Sequence, residues 1–134
     1  MLFKTTEQHE ALRKKIREFA EKEVKPHAFM MDKENMFPDE AIRQLGAMGV
    51  MGIPFEKEYG GQGLDVLSYA IAVEELSRVD GGTGVILSAH TSLGTWPIAA
   101  FGNEAQKQKY LIPLCKGEKI GAFGLTEPNA GSDA

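Results

Sequence analysis

The residues best placed to do chemistry lie in the last stretch of the 134-residue chain, Phe-Gly-Leu-Thr-Glu-Pro-Asn-Ala-Gly-Ser-Asp-Ala over 123–134. Small, polar and turn-forming residues replace a helical pattern there. A hydroxyl at Thr126, a proline at Pro128 and a flexible Gly131 followed by Ser132 suit a backbone turn that offers amide and hydroxyl donors to a phosphate-bearing ligand. Other candidates for chemistry are weaker. A metal-binding His90 would need a partner at helical spacing, but positions 86, 87, 93 and 94 hold Ile, Leu, Leu and Gly, so no metal site is expected. Cys115 is the single cysteine; it excludes an internal disulfide or a thiolate zinc site and is read as a reduced, buried thiol.

The elements that must position this stretch are helical. Leu12, Ile16, Phe19, Ala20 and Val24 recur at three to five residues between Thr5 and Lys25, the pattern of an amphipathic surface helix. Thr5 with Gln8 has capping-box spacing at its start, and Pro26 is expected to end it. A second helix is expected from about Pro38 through Ile42, Leu45 and Met48, with Gly49 and Gly52 as left-handed stops. The Tyr59-Gly60-Gly61-Gln62-Gly63 run reads as a loop. Asp65 can cap a third helix carrying Val66, Tyr69, Ala70, Val73, Leu76 and Ser77, ending before Gly81. From Thr83 to about Phe101 the sequence carries no formal charge, which predicts a central helix surrounded by protein, kinked or divided at Pro97. Asn103 can cap a fifth helix, closed by Pro113 and Gly117.

Beyond Gly117 the period changes, and Ile120 to Leu125 fits one buried strand. A single strand leaves its backbone groups unsatisfied unless a sheet receives it, so its partners are expected outside this chain. The expected organisation is therefore a helical domain over 1–118 and the start of a truncated β domain over 119–134. The methionines and Trp96 read as packing residues. Lys107, Lys109, Lys116 and Lys119 read as a solvated face.

Composition sets the outer bounds. Hydrophobic residues make up 43% and charged residues 25% of the chain, the balance of a folded globular domain. Fifteen Lys and Arg against nineteen Asp and Glu give a net charge of −4, which offers no basic footprint for nucleic acid or an anionic membrane. Met1 to Thr6 lacks a secretory start, and no run approaches a membrane span, so the expected location is the cytoplasm.

The run Gly124-Leu125-Thr126-Glu127-Pro128-Asn129-Ala130-Gly131-Ser132-Asp133 resembles the signature of the flavin-dependent acyl-CoA dehydrogenases. Tyr59-Gly60-Gly61-Gln62-Gly63-Leu64, Glu74-Glu75-Leu76, Ser92-Leu93-Gly94, Pro97-Ile98 and Phe101-Gly102 follow in that family's order and spacing. Leu87-Ser88-Ala89 ahead of Ser92 is nearest to its short-chain, butyryl-type members. The resemblance implies an all-α fold, the N-terminal orthogonal helical bundle of such an enzyme, with the first β-strand of a missing middle domain at the C-terminus.

It also implies the chemistry of the parent enzyme: α,β-dehydrogenation of an acyl-CoA thioester, with hydride passing to flavin N5 and electrons onward from FAD to an electron-transfer flavoprotein. By position, Phe123, Leu125 and Thr126 would face the isoalloxazine, and Gly131 and Ser132 the FAD pyrophosphate. Ser132 would also reach the CoA part of the substrate, with Leu93 on the acyl-pocket wall. The catalytic glutamate would lie beyond Ala134, leaving this chain with no catalytic residue; Glu127 is a motif element in the family pattern. The parent would be a homotetramer, and Leu64 a contact for the electron-transfer flavoprotein, although Gln62 is polar where some relatives carry leucine. Two alternatives stay open: a non-catalytic helical interaction module, and an oxygen-reactive relative such as an acyl-CoA oxidase or flavin monooxygenase.

Overall fold

A computed structural model of the chain describes residues 4–133. The start over Met1 to Thr6 thus lies partly outside the described residues, as does Ala134. The described chain is helical: α1 (Glu7–Phe19), α2 (Lys25–Lys33), α3 (Asp39–Ala47), α4 (Val66–Ser77), α5 (Gly81–Ser88), α6 (Trp96–Phe101), α7 (Glu104–Gln106) and α8 (Ile112–Cys115).

The central pair is α1 and α4, which run side by side in the same direction. His9 near the start of α1 meets Asp65 at the start of α4, while Arg13 and Arg17 meet Glu74 and Glu75 toward its end. Chain reversal at Asp80 lays α5 antiparallel on α4, so that the Tyr69 hydroxyl donates to the Ser88 carbonyl at 3.2 Å. Asp80 caps α5 by accepting from the Thr83 amide. Ile16, Phe19, Ala20 and Val24 then close with Ile42, Leu45, Met51, Ile53, Ala72, Leu76 and Leu87 into one buried core. A smaller cluster of Phe55, Tyr59, Leu111 and Cys115 fills the other end. The Cys115 thiol is sealed there, and burial pushes its pKa up to about 12, so it is an inert core residue.

Local chemistry corrects several sequence expectations. The cap of α1 is Thr6, not Thr5, and its reciprocal partner is His9: the Thr6 amide donates to His9 Nδ1 at 3.0 Å, and the His9 amide to Thr6 Oγ1 at 3.3 Å. Imidazole thus fills the place that Glu or Gln takes in the usual capping box. Gly49 does adopt the left-handed conformation that ends α3, with φ of 76°. Gly52 does not, and sits instead in a buried 3-10 turn.

Pro26 does not end the first helix. A π-helical stretch, Ala20–Val24, carries the chain from α1 into α2 with Pro26 in the first turn. The same device recurs before Pro97 (Ala89–Thr95) and before Pro113 (Lys107–Leu111). A proline cannot donate a hydrogen bond, and its ring collides with the carbonyl four residues back. One widened turn moves that carbonyl aside, so the helix continues.

Two expectations about burial also need correction. The uncharged helical stretch from Gly81 to Phe101 is not surrounded on all sides within this chain: Val85, Leu93, Trp96 and Phe101 are exposed. Lack of charge marks a surface that avoids water, but the atoms covering it need not belong to the same segment. Of the methionines read as packing, Met51 is fully buried while Met30 and Met36 are exposed. Trp96 does pack, tilted against Phe55 with ring centroids 6.0 Å apart, while about half of its surface stays open. Among the described residues, no helix is long and apolar enough to cross a membrane.

Candidate functional site

The strand expected over Ile120 to Leu125 is not formed among the described residues. The segment has no regular structure, and Ile120, Phe123 and Leu125 are exposed rather than buried. The reason is physical: a strand exists through its ladder partners, and among the described residues no other part of the chain offers one. None of the backbone hydrogen bonds among the described residues falls on Ala122 to Thr126. Five consecutive residues thus hold out their donors and acceptors unused.

What fixes the segment is its entry point. Gly121 crosses the π-helical stretch of the central helix at Gly94, and a Cβ on Gly94 would lie 2.6 Å from the Gly121 backbone. A Cβ on Gly121 would in turn lie 3.0 Å from Gly94 Cα. Two bare backbones touch, which only glycine permits on both sides. The Gly121 amide donates to Nδ1 of the fully buried His90 at 2.9 Å. Leu93 precedes this crossing by one residue and Phe123 follows it by two.

After the crossing the chain turns back. The Glu127 amide donates to the Ala130 carbonyl at 2.8 Å, and the Ala130 amide returns the bond at 3.2 Å. Pro128, at the second position of this four-residue turn, has the fixed φ that such a turn requires. Gly131 and Gly124 have no atom within 4 Å of where a side chain would begin. Thr126 and Ser132 are exposed, and neither hydroxyl has an intramolecular partner among the described residues. The result is an open ledge: apolar side chains at Phe123 (55% exposed) and Leu125 (48%), free amides between them, then a turn with a clear glycine and a free hydroxyl. Leu93, 49% exposed, stands beside its start.

The electrostatics are concentrated elsewhere, around Glu75, which the sequence offered only as part of a family motif and without a role. Glu75 is only 1% exposed. Its Oε1 accepts from Arg13 at 2.9 Å and Arg17 at 2.8 Å, and its Oε2 from Arg17 at 2.8 Å and Arg78 at 2.9 Å. Arg17 foremost, then Arg13 and Arg78, hold its pKa at about 2 against the opposing effect of burial. A signal was present: Glu75 interrupts the buried set Ile71, Ala72, Leu76 on α4, and a charge in an apolar stripe demands a partner. Asp65 is likewise held at about 2, by the Ser68 amide first and then by His9. Among the described residues, no group of three or more His, Cys, Asp or Glu could hold a metal ion.

Comparison with known proteins decides the family. A sequence profile described as acyl-CoA dehydrogenase, N-terminal domain, matches residues 6–118. The chain belongs to that family. Among curated acyl-CoA dehydrogenases, the short-chain specific enzyme of Clostridium acetobutylicum is 63% identical over 134 residues, all of this chain and 35% of that protein. The chain therefore spans about a third of the length of the relative it matches. A chain solved in work on the electron transferring flavoprotein of Acidaminococcus fermentans superposes with a TM-score of 0.94 at 52% identity, covering 99% of this chain and 35% of that one. An acyl-CoA dehydrogenase complexed with FAD, from Bacillus anthracis, gives 0.89 at 38% identity over 96% of this chain and 22% of its own. The all-α reading as the N-terminal helical domain of an acyl-CoA dehydrogenase, nearest to the short-chain members, thus holds.

Proposed function

We propose that this chain is the N-terminal part of an FAD-dependent acyl-CoA dehydrogenase acting on short-chain acyl-CoA thioesters, and that it contributes one side of the flavin and substrate site. The observation that carries the reading is the whole-length match, at 63% identity, to one third of a short-chain specific enzyme. The local geometry fits the group. Phe123 and Leu125 offer an apolar surface of the size and openness that a planar ring needs, and the uncommitted Thr126 hydroxyl can hydrogen-bond its edge. The clear space at Gly131 lets the backbone approach a pyrophosphate, and Ser132 adds a hydroxyl donor. Ser132 and Leu93 are the substrate contacts, the first toward the CoA part and the second toward the acyl chain.

Bound FAD supplies the two-electron acceptor for the β hydrogen. The chain's own residues orient that acceptor and exclude water on one side of it. They do not take the α proton. Glu75 is sheathed by three arginines and held at about 2, so it is a poor base and out of reach of a ligand. Glu127 holds the turn through its backbone, its amide donating to the Ala130 carbonyl at 2.8 Å, and the resemblance gives it the role of a motif element. From the family resemblance we infer that the base lies in the part of the enzyme this chain does not include, that electrons leave to an electron-transfer flavoprotein, and that the complete enzyme is a homotetramer.

The test compares this chain with the full-length protein. The purified chain is expected to be colourless and without butyryl-CoA dehydrogenase activity, and the full-length protein to be yellow and active. Tight FAD retention by the chain alone would overturn the half-site reading. A flavin-loaded full-length protein inert toward every short acyl-CoA would overturn the dehydrogenase.

A further inference from the structure

His90 is a fully buried imidazole. Nδ1 accepts from the Gly121 amide at 2.9 Å, so the proton resides on Nε2. That edge of the ring faces the backbone carbonyls of Met51 and Leu114, while Thr95 Oγ1, 3.4 Å from Nε2, gives its own proton to the His90 carbonyl at 2.7 Å. The ring thus sits between the bundle interior and the Gly121 amide at the start of the open ledge. Burial lowers its pKa, so the acceptor lone pair on Nδ1 stays available.

The interaction is not needed to close the core. Gly121 lies outside both apolar clusters, and after it none of the residues from Ala122 to Thr126 has a backbone bond of its own among the described residues. One hydrogen bond and one glycine crossing therefore set the direction in which Phe123, Leu125 and Thr126 leave the bundle. A general-base or metal role is closed to a ring with no exposed surface whose accepting nitrogen is taken by the Gly121 amide.

We propose that His90 is a positioning residue for the flavin site: through the Gly121 amide it fixes the register of Phe123 to Thr126 against the isoalloxazine. This rests on the function proposed above. A buried acceptor here, in place of an apolar residue, makes sense only if the amide it receives must sit at one defined place.

The experiment uses full-length protein carrying His90→Leu, His90→Asn or Leu87→Ala. Leucine fills space without accepting; asparagine restores an acceptor oxygen close to the Nδ1 position; Leu87→Ala is a stability control in the same helix that touches no part of the ledge. His90→Leu is expected to raise the FAD dissociation constant about tenfold, to alter the visible circular dichroism of bound flavin, and to speed exchange of the Gly121 amide about tenfold. His90→Asn should recover all three, and Leu87→Ala should lower the melting temperature while leaving the flavin signal unchanged. Flavin affinity, dichroism and Gly121 exchange that stay at wild-type values in a folded His90→Leu protein would overturn the proposal, as would equal losses in Leu87→Ala. A wild-type full-length protein that takes up no FAD would instead overturn the underlying function, and would do so before any variant is made.

Discussion

The seam between α1 and α4 and the ledge after Gly121 are opposite solutions to the same problem of what to do with polar groups. Along the seam, Glu75 has four hydrogen bonds from three arginines, and His9 and Asp65 share a fifth link at 3.0 Å. Nothing is left over, and the seam is complete without help. On the ledge, five residues keep their amides and carbonyls free while Phe123 and Leu125 face solvent. The first arrangement stabilises a fold; the second leaves its hydrogen-bonding groups open, which is the capacity the proposed flavin site would use. The ledge leaves the bundle at one point, where Gly121 crosses Gly94 and its amide meets His90.

The contrast can be broken most severely at Glu75. Glu75→Ala leaves three guanidinium groups without their common acceptor and is expected to cost about 4 kcal/mol in urea denaturation of the chain. Leu87→Ala, in the core beside the seam, should cost about 3 kcal/mol by the same measurement. Acid titration gives a sharper test. Glu75 and Asp65 have folded pKa values of about 2, below their ordinary 4.5 and 3.8. Their contribution is therefore fully present above the ordinary range and is lost as pH falls toward 2. The melting temperature should drop between pH 4.5 and 2, and Glu75→Gln should flatten that drop. Asp65→Ala, which removes the cap of α4 and the partner of His9, is expected to cost about 1 kcal/mol at neutral pH. Phe123→Ala and Leu125→Ser should change the stability of the chain by less than about 0.5 kcal/mol. A larger loss would mean that the ledge is part of the core after all.

Much of this was readable from the residues. Asp65 announced α4 and Asn103 announced α7, because a short polar side chain ahead of an apolar period has few other uses. The motif of the ledge also advertised its turn, with Pro128 where the chain reverses. Reading failed where an answer depends on atoms far away in sequence. Pro26 looks like a terminator by local rules, and only the widened turn at Ala20–Val24 removes the clash. Residues 120–125 have the composition of a strand, but its expected partners lie outside this chain, so the unpaired segment seen here does not test that reading. His90 offered no clue in its own neighbourhood, since its partner Gly121 lies 31 positions on. Glu75 was visible as an anomaly among apolar residues, but which arginines would answer it was not.

The α1–α4 seam also imposes a timetable on biosynthesis. His9, Arg13 and Arg17 find their partners 56, 61 and 58 residues later in the chain. At ribosomal rates of about 5–20 residues per second, α1 emerges roughly 3–12 s before the α4 partners of its polar side chains exist. During that interval α1 is an amphipathic segment without its α4 partner, and the nascent chain is most open to capture by a chaperone before Glu75 has been translated.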